Sequence, residues 1–408
     1  MAKLDINFVR EQFPAFQSAD LKGQGFFENA GGSYTCGPVI DRLTRFYTHR
    51  KVQPYGAYKA SQLGGEEMDE ARDRLSGLMG INPDQLNFGP STTQNTYVLS
   101  KAFAKLLNEN DAIIVTNQDH EANSGPWRRL VEEGVEVREW GVNPDTGHLD
   151  INDLKNLLDK KVKLVCFPHC SNIVGEINPV KEIVKLVRDA GAYSCVDGVS
   201  YAPHGFPNIG DLQPDVYLFS SYKTYGPHQG IMVLSEKLNR DLPNQAHYFN
   251  SDYPTRRFTP AGPDHAQIAA CAGMADYFDL LHDHHFEPQA NAAKRGEAVH
   301  DLLRSHEVNI LQPLLDNLSA RNSIRLLGPD DANKRAPTVA VEVSSNAFDI
   351  AKNLSKEGIN AGGGDFYAVR LLDALGVDRR NGALRLSFVH YTSEEEVSHL
   401  IQTLDKVL

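Results

Sequence analysis

Residues Tyr217–Met232 read YLFSSYKTYGPHQGIM: an apolar run, two serines, one lysine, and a glycine-proline turn that leads into a second apolar run. The first run is apolar at consecutive positions rather than alternating ones, the pattern of a strand covered on both faces. Lys223 stands at the mouth of that strand, where an isolated ammonium is costly unless it is paired or its charge is removed.

Working outward, DAIIVTNQDH, VEVREW, KLVCFPHCSN, AYSCVDGVS and GIMVLS repeat the apolar run bounded by a turn, with helical stretches between them from about residue 75 to 235. This alternation predicts an α/β fold with a mostly parallel sheet and helices on both sides. From about residue 290 the texture changes to helices such as AAKRGEAVHDLLRSH, a strand TVAVEV, a glycine-rich loop NAGGGDFYA, a strand ALRLSFVHYT and a closing helix SEEEVSHLIQTLDKVL. That helix opens on Thr392 or Ser393 with glutamates in its first turn, a capping signal. The expected organisation is a large domain over residues 20–285 and a smaller α+β domain made of 286–408 with 1–19 folded back on it.

The chain has 408 residues, 41% of them apolar, enough for a large core, and a formal charge of −12 from 41 basic and 53 acidic residues. No Lys/Arg-rich run is present, so the attraction to phosphate backbones that supports nucleic-acid binding is missing. No apolar run approaches the roughly 18 residues that span a bilayer. The expected partner is a small molecule, and the expected compartment is the cytoplasm. Five scattered cysteines, Cys36, Cys166, Cys170, Cys195 and Cys271, show no disulfide spacing and read as free thiols. No metal site is expected. CFPHC (166–170) sits on a strand whose alternate residues face opposite ways, and HDHHF (282–286) reads as a solvent-facing helix end.

In open parallel sheets, ligands gather outside the carboxyl ends of strands. Those ends read GPSTTQNT, NQDHEANSGPW, PHCSNIVG, VDGVS and SSYKTYG. Together they offer hydroxyls at a helix start, a histidine, an asparagine, an aspartate and a lysine. Singly, each fits a structural role: a capped helix start, a satisfied core histidine, a turn asparagine, a loop acid.

In order and spacing the set resembles the class V aminotransferase and cysteine desulfurase superfamily of fold type I pyridoxal-phosphate enzymes, from ENAGGS near the start to LRLSFVHYTSEEEV near the end. The resemblance rests on STT (91–93), DHEAN (119–123) followed by Pro126-Trp127, SNIVG (171–175), VDG (196–198) and SSYK (220–223). It implies that Lys223 forms the Schiff base with pyridoxal 5'-phosphate and, when released, serves as base at the substrate Cα. Asp197 would face the pyridine nitrogen and keep the ring an electron sink. His120 would stack on the ring and Asn172 lie near the ring oxygen. Thr92, Thr93 and Ser220 would hold the phosphate, since hydroxyls and a helix N-terminus stabilise a dianion. Tyr222 stands where desulfurases usually carry a histidine, and Ser200 where many relatives carry Gln or His. Arg385 would grip the substrate carboxylate with a planar guanidinium, with Ala30 and Gly31 beside it. Gly262 resembles the loop that crosses a dimer to the neighbour's phosphate, which implies a homodimer with a shared active site.

In desulfurases a mobile loop before the last strand carries the cysteine that accepts sulfur. Here it reads GGGDFYAVRL, with Tyr367 at or near that place and Gly362 where the superfamily has an arginine. No cysteine lies after Cys271, so persulfide transfer by that route is not expected. The expected activity is Cα deprotonation of an amino-acid substrate through an external aldimine, with a desulfurase-like β-lyase ahead of a class V aminotransferase, an epimerase or a non-catalytic cofactor-binding protein. The Gly362–Gly364 run is expected to let Tyr367 swing in only when substrate binds.

Overall fold

The structure, a computed structural model, describes residues 2–408. Seven strands form the central sheet: β1 (Leu86–Gly89), β2 (Ala112–Thr116), β3 (Glu136–Trp140), β4 (Val162–Pro168), β5 (Tyr193–Asp197), β6 (Val216–Ser220) and β7 (Gly230–Leu234). Their spatial order is β1-β7-β6-β5-β4-β2-β3. Neighbours run parallel from β6 through to β3, and β7 is antiparallel to both β6 and β1. β2, β6 and β7 are buried at every position, because helices cover both faces. The helix Val180–Asp189 shows the matching pattern, burying Val180, Ile183, Val184 and Val187 along one stripe at helical spacing.

A second sheet of four strands, β8 (Arg325–Leu327), β9 (Thr338–Glu342), β10 (Gly362–Gly364) and β11 (Ala383–Ser387), has the order β10-β11-β9-β8 and is antiparallel throughout. Its core contains Val339, Val341, Leu384 and Leu386. The closing helix Glu394–Val407 packs Val397, Leu400 and Leu404 into that core, and Ser393 and Glu396 form the expected capping box. The long helix Ala292–Ser319 joins the two units. Its first half packs Val299 and Leu303 into the large core, and its second half packs Leu311 and Leu315 into the small one.

Two expectations give way here. Leu4, Val9 and Phe13 belong to the large core, where Phe13 meets Tyr225, Tyr277 and Tyr391; the apolar side of the N-terminal segment therefore packs into the large unit, while Arg10 reaches the small one by pairing with Glu396. Phe27 belongs to the small core instead, as its neighbours Gly25–Phe26 pair in parallel with Ile359–Asn360. The second correction concerns the glycine run. Gly362–Gly364 is no loop but strand β10, with Gly362 opposite Arg385 and Gly363 opposite Leu384. A Cβ at Gly363 would lie 2.3 Å from the Ala347 carbonyl oxygen, so glycine is what lets the strand lie this close to the helix Ala347–Lys356.

Candidate functional site

The carboxyl ends of β1, β2, β4, β5 and β6 converge on one cleft. Its inner part, a cavity of about 330 Å³, is lined by Thr92, His120, Asn172, Asp197, Ser220 and Lys223. It opens into an outer part of about 790 Å³ reaching Glu28, Tyr97, Arg129, Tyr367 and Arg385. The inner part alone brings together nine of the residues singled out from sequence: Thr92, Thr93, His120, Asn172, Asp197, Ser200, Ser220, Tyr222 and Lys223. Ala30, Gly31, Tyr367 and Arg385 line the outer part.

At the phosphate end, the helix Thr92–Phe103 starts where β1 stops. Ser91 caps it, its hydroxyl accepting from the Gln94 amide at 3.2 Å. The amides of the first turn have no intrahelical acceptor and point outward with the positive end of the helix dipole. The hydroxyls of Thr92 and Ser220 meet at 2.8 Å, so two strand ends offer their oxygens at one place. Gly230 of β7 permits this, because a Cβ there would lie 2.4 Å from the Ser91 carbonyl carbon. His228, which the sequence reading passed over within GPHQG, also lines this end and stacks on Tyr222 with ring centroids 4.8 Å apart.

The middle of the cleft carries three titratable groups with shifted affinities for protons. Burial raises the Asp197 carboxyl from 3.8 to about 6, against the opposing effects of the Val199 amide, which donates to Oδ1 at 2.8 Å, and of Lys223. Burial lowers the Lys223 ammonium from 10.5 to about 8; Arg385 adds to the lowering, and Asp197 and Glu28 oppose it. Burial, with Lys223 and Arg385, lowers His120 to about 3. His120 is therefore neutral. Its Nδ1 accepts from the Ala122 amide at 3.0 Å, which leaves the proton on Nε2 and makes the ring a stacking and donor surface rather than a base. The His120 turn is held by buried Asp119, which accepts from the Thr116 hydroxyl at 2.6 Å and the Asn123 amide group at 3.0 Å. Asn123 in turn accepts from the Trp127 indole at 3.1 Å, so the segment DHEAN with Pro126-Trp127 is one scaffold for one histidine.

These residues suit pyridoxal phosphate. An anion cradle lies at one end, and a carboxylate next to the Lys223 amine lies at the other. Buried Asn172 Oδ1, which has no hydrogen-bond partner, lines the same cavity. A protonated pyridine nitrogen would complete Asp197, and the ring oxygen would meet Asn172.

The substrate end departs from expectation. Arg385 is buried, with its guanidinium 3.8 Å over the Phe366 ring, but Nη2 already donates to Glu28 Oε1 at 2.7 Å, and Nη1 donates to the Asn172 carbonyl at 3.3 Å. Glu28 belongs to the ENAGGS segment and was not singled out from sequence; the missing arginine at Gly362 was the available hint. Tyr367 is not withdrawn from the cleft. It is 72% exposed at the mouth, its ring 5.4 Å from that of His120, and its carbonyl accepts from the Glu121 amide at 2.8 Å. Arg370 pairs with Glu121 at 3.1 Å across the same edge. Phe366 and Tyr367 adopt φ of 52° and 56°, a left-handed backbone that costs non-glycine residues and is concentrated at functional sites.

Gly262 does not line the cleft. It is exposed, and a Cβ there would have no atom within 4 Å, in a groove that it shares with Gln94 and His228. All five cysteines are free and buried; burial pushes the thiols of Cys36, Cys170 and Cys271 up to about 12 and that of Cys166 well above its usual value. Within HDHHF, His284 stacks on Phe8 and bonds Asp5 at 3.1 Å, and His285 Nε2 accepts from the Asp5 amide at 3.0 Å. These histidines tie down the N-terminal helix. No helix of the described residues is long and apolar enough to cross a membrane.

Comparison with known proteins agrees with this geometry. The sequence profile of the family described as aminotransferase class-V matches residues 25–251 and 296–400. The chain is 31% identical over 421 residues to an aminotransferase-like protein, FGM3, of Gibberella zeae, covering 100% of this chain and 99% of that one. It is 27% identical over 425 residues to a probable cysteine desulfurase of Halobacterium salinarum, covering 99% and 96%. Among solved structures, the apo cysteine desulfurase of Thermococcus onnurineus superposes with a TM-score of 0.86 at 22% identity over 100% of this chain and 99% of that one, a likeness of fold.

Proposed function

The chain belongs to the aminotransferase class-V family, whose members are pyridoxal-phosphate enzymes, and from that premise we propose that it is a β-lyase acting on an amino-acid substrate without a persulfide step. The observation that carries this reading is the residue at the cleft mouth: Tyr367, which has no thiol, lines it, and the five cysteines are buried.

Bound pyridoxal phosphate supplies the electron sink for charge that develops at the substrate Cα. The rest of the chemistry falls to the chain. Thr92, Thr93, Ser220 and the first-turn amides would anchor the phosphate, and Asp197 would hold a proton on the ring nitrogen. His120 would pack on the ring and exclude water from one face. Lys223 would hold the cofactor and, as a free amine, would take the substrate Cα proton; an ammonium lowered to about 8 leaves a useful share of free amine near neutral pH. As the Cβ–S or similar bond breaks, the Tyr367 phenol is the group at the mouth able to protonate the leaving atom. The released enamine adds water and becomes a keto acid and ammonia.

Because Gly262 faces away from its own cleft, we place its loop at a neighbour's phosphate and the protein in a homodimer. A screen of amino donors with product analysis tests the activity. Keto acid plus ammonia without an amino acceptor is the expected result; products formed only when a keto-acid acceptor is added would make the protein a transaminase instead.

A further inference from the structure

Tyr367 lines the mouth of the cleft, yet its side chain is 72% exposed, with its ring 5.4 Å from that of His120 and tilted by 39°. Its hydrogen bonds among the described residues are made by the backbone. The amide donates to Asp365 Oδ1 at 2.9 Å, and the carbonyl accepts from the Glu121 amide at 2.8 Å. Where the phenol sits is therefore decided by what ties down the backbone of residues 365–370.

That backbone does not keep its shape unaided. The positive φ of Phe366 and Tyr367 is a conformation that non-glycine residues hold only where their surroundings over-determine it. Asp365 shapes the turn from within, its carbonyl also accepting from the Ala368 amide at 2.9 Å. At Phe366, the Asn172 side-chain amide donates to the carbonyl at 3.0 Å, and the Arg385 guanidinium lies 3.8 Å over the ring. The other end depends on Glu121 twice. Its amide holds the Tyr367 carbonyl, and its Oε2 accepts from Arg370 Nε at 3.1 Å. Glu121 directly follows His120, so both ties lead to the turn that carries the ring-stacking histidine.

The Glu121 carboxylate has a seat on the large unit. A Cβ at Gly125 would lie 2.6 Å from Oε1 and 3.2 Å from Cδ, so the carboxylate lies in space that only a glycine leaves open. Both partners of the pair line the outer cavity, and at 49% exposure for Glu121 and 43% for Arg370 they are open to solvent and salt. We infer that Glu121 is the positioning residue for Tyr367: seated against Gly125 and paired with Arg370, it fixes the backbone that sets the phenol at the mouth beside His120. It acts through Tyr367 and on no substrate atom. The inference rests on the proposed role of Tyr367 as proton donor to the leaving atom.

The first test is hydrogen exchange of the backbone amide at residue 121 in the holoenzyme, which reports release of the Tyr367 carbonyl without any need for turnover. Glu121→Gln, Arg370→Gln and Gly125→Ala are each expected to speed it by roughly two- to fivefold, the scale of an exposed ion pair. Raising salt to about 1 M KCl should do the same to wild type and nothing further to Glu121→Gln. Unchanged exchange in all three variants would overturn the inference. The second test is turnover of S-methyl-L-cysteine, whose leaving thiolate gains from a proton, against β-chloro-L-alanine, whose chloride does not. Glu121→Gln should lower kcat for the first by a similar factor at constant KM, leave the second unchanged, and cost nothing more in a Tyr367→Phe background. Losses that add in the double variant would overturn the inference, because Glu121 would then act independently of Tyr367. Full turnover of S-methyl-L-cysteine by Tyr367→Phe would instead overturn the proton-donor role, and the exchange rates would still decide whether Glu121 ties the segment down.

Discussion

The two ends of the cleft are built on different principles. The phosphate end is assembled from residues that each follow a strand of the central sheet within a few positions, so the parallel topology alone brings Ser91–Thr93, Ser220 and Lys223 together. The substrate end joins Glu28, Arg385 and Gly362 from three segments and the small sheet, and its central contact links residues 357 apart in sequence. The first end is generic to the architecture. The second sets a carboxylate against Arg385 and a tyrosine at the mouth.

If the inner cleft carries the chemistry, the largest loss short of removing Lys223 should come from Asp197→Asn. The cofactor should remain bound, while turnover falls by roughly two to four decades, the equivalent of about 3–5 kcal/mol for a broken buried charge pair. Wild-type turnover by steady-state assay would show that the carboxylate does not serve the ring. The same substitution should act oppositely on the cofactor-free protein. The folded-state proton affinity of Asp197 is raised from 3.8 to about 6, so its ionised form is destabilising above pH 6, and the penalty disappears as pH falls towards 3.8. Denaturant unfolding should therefore find the variant more stable by up to about 3 kcal/mol at pH 7–8 and equal to wild type near pH 4. A smaller effect is expected at the phosphate end. Thr92→Val removes one hydroxyl from a charged ligand, which at about 1.5–3 kcal/mol lowers cofactor affinity by roughly one to two decades. Equilibrium dialysis checks it; unchanged affinity would mean that the first-turn amides hold the phosphate without that hydroxyl.

The same contrast governs what the sequence disclosed. The strand ends were legible because apolar runs mark the strands and the polar residues that follow them are local. Lys223, Asp197, His120 and Thr92 therefore line one cavity. The small sheet was harder to read. Three glycines argue against a strand on propensity, yet β10 uses them to bring its backbone against Ala347 and to make room for Glu28. Glu28 itself was hidden because its partner lies at the far end of the chain. His228 was overlooked because only the turn Tyr225–Gln229 sets it beside Tyr222. The N-terminal segment was expected with the small unit, whereas the aromatic cluster around Phe13 packs it into the large core.

The central claim is that Lys223, lowered to about 8 by burial, is the residue that carries the cofactor and then works at Cα. Borohydride reduction of the holoprotein followed by peptide mass spectrometry tests it most directly. The account predicts one pyridoxyl-modified peptide, containing the SSYKTYG segment with the label on Lys223, and no label after Lys223→Ala. A label on any other lysine, or undiminished labelling of the variant, would contradict it.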